Sequence, residues 1–167
     1  MTISEILLED FDIEIGMTRR ILAAVPEDRP DYKPHEKSMP LGKLAVHVAT
    51  LPDLGVMILT TAGVDAKTAK FPDPNFVSTD KLLTDFDSFA AKARAALSAS
   101  SDADLQTPWE FRFGDFIFSN ETRSCTFRHM FFGHMIHHRA QLGVYLRLNN
   151  LPVPGVYGPS ADERFKP

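Results

Sequence analysis

Hydrophobic residues recur at helical spacing in four long stretches of the chain. The first stretch covers residues 2–24, where Thr2 followed by Glu5 is typical of a capping box. Its apolar positions fall on one side of a helix: Ile6, Leu7, Phe11, Ile15, Met17, Ile21 and Leu22. Pro26 and Pro30 end this helix and begin an irregular connection.

The second stretch predicts a helix that Ser38 caps, with Pro40 in its first turn, where a missing N–H costs little. This helix runs to about Thr61, and Pro52 is expected to kink it. Residues 62–77 contain one glycine and two prolines, so we expect a loop there.

The third helix begins at Ser78 or Thr79. One side of it is apolar, through Leu82, Leu83, Phe86, Phe89, Ala90, Ala93 and Leu97. The segment WEFRFGDFIFSN then alternates aromatic and polar residues around Gly114 and Asp115, which predicts a short β-hairpin. Because one hairpin cannot form a stable sheet alone, we expect it to be an insertion before the last helix.

The last helix covers about residues 122–149, beginning at Thr122 or Ser124 and ending at Asn149–Asn150 and Pro152. The tail is rich in Pro and Gly, and its apolar residues are expected to pack on the helices: Leu151, Val153, Val156 and Tyr157. Four long helices with one hairpin predict an all-α fold, an antiparallel four-helix bundle with a short β-hairpin insertion before the last helix.

Composition limits the possible functions. The chain has 167 residues, 44% of them hydrophobic and 24% charged, which predicts a single domain over residues 1–167. A net charge of −4 without a basic run argues against nucleic acid as a partner. Apolar stretches are interrupted before the roughly 20 residues of a membrane span, so we expect no membrane partner. The acidic N-terminus is unlike a signal peptide, so we expect a cytoplasmic protein. Cys125, the only cysteine, is expected to be a buried thiol.

Three histidines lie within five positions of the last helix. At about 100° per residue, His138 falls about 40° from His134 and Gln141 about 20° on the other side. His137 lies about 60° away, at the margin of this face, and His129 about 140° away. The same face is apolar through Phe127, Met130, Phe131, Leu142 and Tyr145. His134 and His138 should therefore project together from the buried side.

Two buried imidazoles one turn apart cannot both carry charge at low cost, and a shared metal ion removes this difficulty. The i, i+4 spacing is that of HExxH zinc sites, although the glutamate base of that motif is absent. His47 is the candidate third ligand, because it shares a face with Leu44, Leu51, Leu54 and Ile58. A hydrogen-bonded core histidine is the alternative for His47, and His35, in the proline-rich connection, is expected to be solvated.

The pattern HxxHHRxQ at residues 134–141 resembles that of the DinB family of metalloproteins. KLAVHVA around His47, PDYKP before it and the closing LPVPGVYGPSADE resemble the family as well. The resemblance implies a four-helix bundle, commonly a homodimer, in which His47, His134 and His138 bind a divalent metal. Ala140 stands where the family often has glycine, and a small residue is preserved.

Three imidazoles leave one to three positions for water or substrate, and nitrogen ligation suits Zn, Ni or Fe equally. Gln141 is a candidate to hold a bound water or substrate oxygen, or a helix-packing amide. His137 is a candidate proton shuttle, or the partner of a structural hydrogen bond. Arg139 is expected to form a salt bridge or anchor a loop, while Asp53 and Tyr145 are weaker candidates, and none of these residues is an obvious general base.

We therefore expect a metal-dependent enzyme acting on a small-molecule substrate. Related bundles include thiol S-transferases, so a low-molecular-weight thiol is the favoured substrate, and a metal-dependent hydrolase is the alternative. A non-catalytic protein that binds a metal or a ligand, or an interaction protein that has lost its metal, is the other alternative. The hairpin aromatics are expected to pack on the helices or across a dimer interface: Trp109, Phe111, Phe113, Phe116 and Phe118.

Overall fold

The computed structural model describes residues 1–163 and is mostly helical. The helices are α1 (Ile3–Ala23), α2 (Leu41–Thr60), α3 (Thr79–Ala99), α4 (Asp102–Leu105), α5 (Arg123–Thr126) and α6 (His134–Leu148), and a π-helical segment, Phe127–Gly133, joins α5 to α6. The strands are β1 (Gly63–Asp65), β2 (Pro108–Phe113) and β3 (Phe116–Thr122). α1 and α2 each pack against α3 and α6 around one apolar core.

Three predicted helix starts are confirmed by their capping bonds. In α1 the Glu5 N–H donates to the Thr2 hydroxyl at 3.2 Å, and the Thr2 N–H donates to the Glu5 carboxylate at 2.6 Å. Ser78 and Thr122 accept bonds from the third backbone N–H of α3 and α5, respectively. Each cap satisfies a donor that the first turn would otherwise leave unpaired.

The predicted cap of α2 is wrong. The helix begins at Leu41, three residues after Ser38, and Ser38 makes no capping bond to it. Its first N–H groups instead bond to the preceding connection: Leu41 donates to the Tyr32 carbonyl at 2.9 Å and Gly42 to the Pro30 carbonyl at 2.8 Å. The backbone of the proline-rich connection therefore caps this helix. A cap formed by backbone carbonyls leaves no signal in the identity of the residues, so the sequence could not predict it.

The buried face of α1 also differs from the prediction. Ile6 is 48% exposed, whereas Glu14 and Thr18 are buried. Phe11, Glu14 and Thr18 follow helical spacing, so the face that meets α6 carries two polar residues. Their partner is Arg139, a buried arginine on α6.

The last helix is interrupted by its π-helical segment, which was not predicted. Hydrogen bonds from i to i+5 widen each turn, so residues four and five apart face the same side. Phe127, Phe131 and Phe132 consequently form one cluster, with ring centroids 4.8–5.1 Å apart, and all three are buried. The widened turns end directly before His134, and the regular helix that follows carries the histidines.

The sheet is three-stranded and mixed, which corrects the prediction of an isolated hairpin. β2 and β3 pair antiparallel around Gly114, which adopts φ +58°, and β1 pairs parallel with β2. β1 lies in the stretch predicted to be a loop, and Gly63 allows its close pairing because a Cβ there would lie 2.6 Å from the Glu110 carbonyl oxygen. A three-residue strand with no alternation gives no sequence signal of its own.

The hairpin aromatics divide between the helices and the surface. Trp109 is fully buried and its indole N–H donates to the Thr61 hydroxyl at 3.2 Å. Phe113, Phe116 and Phe118 are each more than half exposed. The first half of the hairpin therefore packs on the helices, and its far end presents an apolar surface.

By length and composition alone α2 could cross a membrane, with a mean hydropathy of 1.3 over its most apolar window. Lys43, His47 and Asp53 interrupt the apolar residues of this helix, as predicted. In the fold, 56% of that window is buried inside the protein. This is the environment of a core helix, and its hydrophobicity is explained by the core it forms.

Candidate metal centre

The structure brings His47, His134 and His138 together. Each offers a ring nitrogen, and these nitrogens all lie within 4.8 Å of one another. The Nε2 atoms of His47 and His134 are 3.1 Å apart. At metal–nitrogen distances of about 2.0–2.1 Å, two ligand nitrogens lie about 2.9 Å apart at a right angle and about 3.3 Å apart at the tetrahedral angle. The observed separation falls between these values.

Two local features place these imidazoles. His134 and His138 are one turn apart at the start of α6, so their rings are adjacent, with centroids 4.7 Å apart. α2 approaches the last helix closely because Gly55 has no side chain: a Cβ there would lie 3.3 Å from Phe127 and 3.4 Å from Phe131. This contact between α2 and the π-helical segment brings His47 opposite the pair.

Hydrogen bonding directs His138 toward a common point. Its Nδ1 lies 2.8 Å from the Gln141 side-chain oxygen, which accepts, so Nδ1 carries the proton and Nε2 keeps its lone pair. The Gln141 amide nitrogen in turn donates to Nε2 of His137 at 3.1 Å. His137 and Gln141 thus lie at the exposed edge of the site and orient His138, and Gln141 is not pointed at a guest in the cavity.

All three imidazoles are held in their neutral form. Burial, followed by the proximity of His138 and His134, lowers the pKa of His47 from 6.5 to about 4. Burial and neighbouring histidines also lower the pKa of His134, against the opposing effect of the Met130 carbonyl. Burial lowers the pKa of His138, against the effect of Gln141. Neutral imidazoles are the form that binds a metal, so the donor set fits a divalent cation.

A cavity of about 690 Å³ opens beside the histidines. His47 and His134 form part of its wall, and the other lining residues are mostly apolar. Its size is in the range of small-molecule sites. A guest in this cavity would therefore contact two of the three imidazoles.

Of the other residues named as candidates, one lines the cavity and the rest lie away from it. Asp53 lines the cavity, and burial raises its pKa. Tyr145 is buried and donates to the Met39 carbonyl at 3.1 Å, so it has a structural role. His35 and His129 are exposed, as expected. Cys125 is half-buried, which corrects the expectation of a buried thiol. Its Sγ lies 3.8 Å from Nδ1 of His129.

Arg139 forms the buried salt bridge that its sequence position suggested. Its guanidinium is 2.7 Å from the Glu14 carboxylate and donates to the Thr18 hydroxyl at 3.1 Å. Nη2 donates to the Tyr157 hydroxyl at 2.9 Å, and that hydroxyl donates to Glu14 at 2.6 Å. The network joins α1, α6 and the tail directly behind His138. Glu14 and Thr18 were missed, although a carboxylate within the apolar stripe of α1 was a usable signal.

Comparisons with known proteins identify the family and agree with the fold. A family model described as the DinB family matches residues 5–164. A DinB-like protein from Bacillus cereus superposes with a TM-score of 0.66 at 23% identity, covering 90% of this chain and 95% of the other. A DinB-like protein from Bacillus subtilis gives 0.65 at 17% identity, covering 95% and 98%. A DinB family structure from Exiguobacterium sibiricum gives 0.61 at 19% identity, covering 90% and 94%. No curated protein matches the chain.

Proposed function

This chain belongs to the DinB family, and we propose that it is a metal-dependent enzyme in which His47, His134 and His138 hold a divalent cation. We propose that it transfers a low-molecular-weight thiol to a small electrophile. The observation that carries the proposal is the grouping of three imidazoles, all with lowered pKa values, two of which form part of the wall of an open cavity. The site has three protein ligands, whereas structural zinc sites usually have four.

The residues of the chain perform three tasks in this proposal. The three imidazoles bind the cation, and Gln141 fixes the orientation of His138. The apolar wall of the cavity packs against the electrophile beside the imidazoles. When bound, the ion would supply Lewis acidity, which lowers the pKa of a thiol beside it. In the transfer the thiol gives its proton to water, its sulfur bonds to a carbon of the electrophile, and the leaving group departs with the bonding electron pair.

Asp53 is not required as a base in this scheme. A thiol ionises far more readily than water, so coordination alone can activate it at neutral pH. A hydrolase that relies on a carboxylate base would need that base close to the metal. Asp53 lines the same cavity, but it is six residues from His47 and about 120° away around the α2 axis. This favours thiol transfer over hydrolysis.

The test is turnover by protein of defined metal content. Protein purified without an affinity tag is analysed for metals, loaded with Zn, Ni or Fe, and assayed with a panel of small thiols and electrophiles. We expect His134→Ala to lose metal and activity together. His129 is an exposed histidine in the π-helical segment before α6, and His129→Ala should keep both. Turnover no faster than that of the free metal ion would reject the enzyme, and unchanged metal content in His134→Ala would reject the metal site.

We also propose that the long helices form an antiparallel four-helix bundle and that the protein is a cytoplasmic homodimer. The exposed end of the hairpin, Phe113, Phe116, Ile117 and Phe118, is the proposed contact between two copies. Sedimentation velocity should give a dimer mass for the native protein and a monomer mass for Phe116→Ser/Phe118→Ser. A monomeric native protein would reject the homodimer.

A further inference from the structure

The lining of the cavity beside the histidines indicates the class of the second substrate, the electrophile. We propose that it binds an elongated apolar molecule with one anionic end, and that Lys43 holds that end. This inference rests on the proposed function, because it names the substrate class of the same site.

The cavity is long and narrow. α2 lines it from Lys43 to Met57. With a rise of 1.5 Å per residue, these two positions are about 21 Å apart along the helix axis. A volume of about 690 Å³ spread over that length leaves a cross-section suited to a chain or a flat ring system rather than a compact, branched molecule.

The lining is apolar over most of this length. Val46, Leu54 and Met57 on α2 face Phe71, Phe111 and Met130 from other elements. Two methionines and two phenylalanines give a wall that adapts to different apolar shapes. Burial of a hydrocarbon chain against such a wall removes apolar surface from water, which favours binding. The body of the ligand is therefore expected to be hydrocarbon.

Lys43 supplies the charge for one end. Among residues 1–163 it has no ion-pair or hydrogen-bond partner, and it lies one turn before His47 on the same face of α2. Leu54 lies about 20° from Lys43 around the helix, while Asp53 lies about 80° away on the other side, where it feels the charge of Lys92. An anionic group at Lys43 would therefore lie near the histidines, away from the carboxylate.

Ligand binding is measured on metal-free protein, so that a carboxylate can respond only to protein groups. Decanoate, decanol and decyltrimethylammonium serve as probes in calorimetric titrations. We expect decanoate to bind about five- to tenfold more tightly than decanol, and the cation to bind most weakly. Lys43→Gln should remove the preference for decanoate and leave decanol binding unchanged, and Lys43→Arg should restore it. Lys67→Gln, an exposed lysine outside the cavity, is the matched control.

The outcomes separate this inference from the proposed function. Equal binding of decanoate and decanol would overturn the role of Lys43, and absence of binding by all three probes would overturn the apolar substrate. Leu54→Asp should abolish binding of both neutral and anionic probes, with folding checked by circular dichroism. Metal uptake and thiol turnover without probe binding would reject only this inference. Probe binding by a protein that takes up no metal would reject the proposed function instead.

Discussion

Replacing Glu14 by methionine should destabilise this protein more than replacing any exposed carboxylate of α1. Methionine is close to glutamate in volume, so the change removes the charge and largely preserves packing. It leaves the Arg139 guanidinium, only 2% exposed, without a counter-ion. The Thr18 hydroxyl, the Glu14 carbonyl and the Tyr157 hydroxyl still accept its hydrogen bonds.

The magnitude follows from this burial. Removing one partner of a buried ion pair costs about 3–5 kcal/mol, because the remaining charge is desolvated and unpaired. The three surviving hydrogen bonds place Glu14→Met near the lower end, at about 3 kcal/mol. The double variant Glu14→Met/Arg139→Met contains no unpaired charge, so it should lose less than the sum of the two single variants, with a coupling of about 2 kcal/mol.

Urea unfolding at pH 7 measures these free energies of unfolding. With an m-value of about 1–3 kcal/mol per molar urea, a loss of about 3 kcal/mol in Glu14→Met should lower the midpoint by about 1–3 M. Asp12→Met is the control, because Asp12 lies on the same helix and pairs bidentately with Arg94, but both side chains are about half exposed. Exposed pairs contribute little, so its midpoint should hardly change. Equal losses in the two variants, or single effects that simply add, would refute this reasoning.

Three further predictions concern the histidines and two glycines. Because the pKa of His47 is lowered from 6.5 to about 4, the metal-free protein should keep its stability above pH 6.5 and lose at most about 3 kcal/mol as the pH falls toward 4. Thermal unfolding should show a smaller loss in His47→Gln, and identical pH profiles of the variant and the native protein would contradict the assignment to His47. Gln141→Leu should weaken metal binding about 10- to 100-fold in chelator competition by releasing His138, whereas unchanged affinity would show that the bond does not orient the ring. In urea unfolding, Gly16→Ala should raise the free energy of unfolding by about 0.5–1 kcal/mol, because the added Cβ meets no atom within 4 Å. Gly63→Ala should lower it, because its Cβ would lie 2.6 Å from the Glu110 carbonyl oxygen, and equal effects of the two variants would exclude this tight contact.

The candidate site was largely accessible from the sequence. His134 and His138 are four residues apart on a helix, and this spacing alone places them side by side. His47 followed from the apolar residues that share its face of α2. The role of Gln141 was assigned to a bound water or a packing contact, because a helical wheel gives its direction but not the rotamer that takes its amide to His138 and His137.

The buried arginine shows where sequence reasoning reached its limit. A salt bridge was expected for Arg139, but its partner is 125 positions earlier in the chain. Glu14 stands out as a carboxylate within the apolar stripe of α1, yet no local pattern connects it to Arg139. The same applies to β1, whose three residues become a strand only because β2 offers them a parallel edge. The cavity likewise depends on side chains from four separate parts of the chain.

Helical periodicity is enough to predict the long helices and the face that each histidine occupies, because both depend on the repeat of a helix. Side-chain caps mark the starts of α1 and α3 but not that of α2. Only the tertiary structure decided which faces meet, where the π-helical turns widen the last helix, and how an open apolar cavity comes to lie against the imidazoles. These features depend on packing between distant segments, where volume and hydrogen-bond satisfaction select one arrangement from many that the local pattern allows.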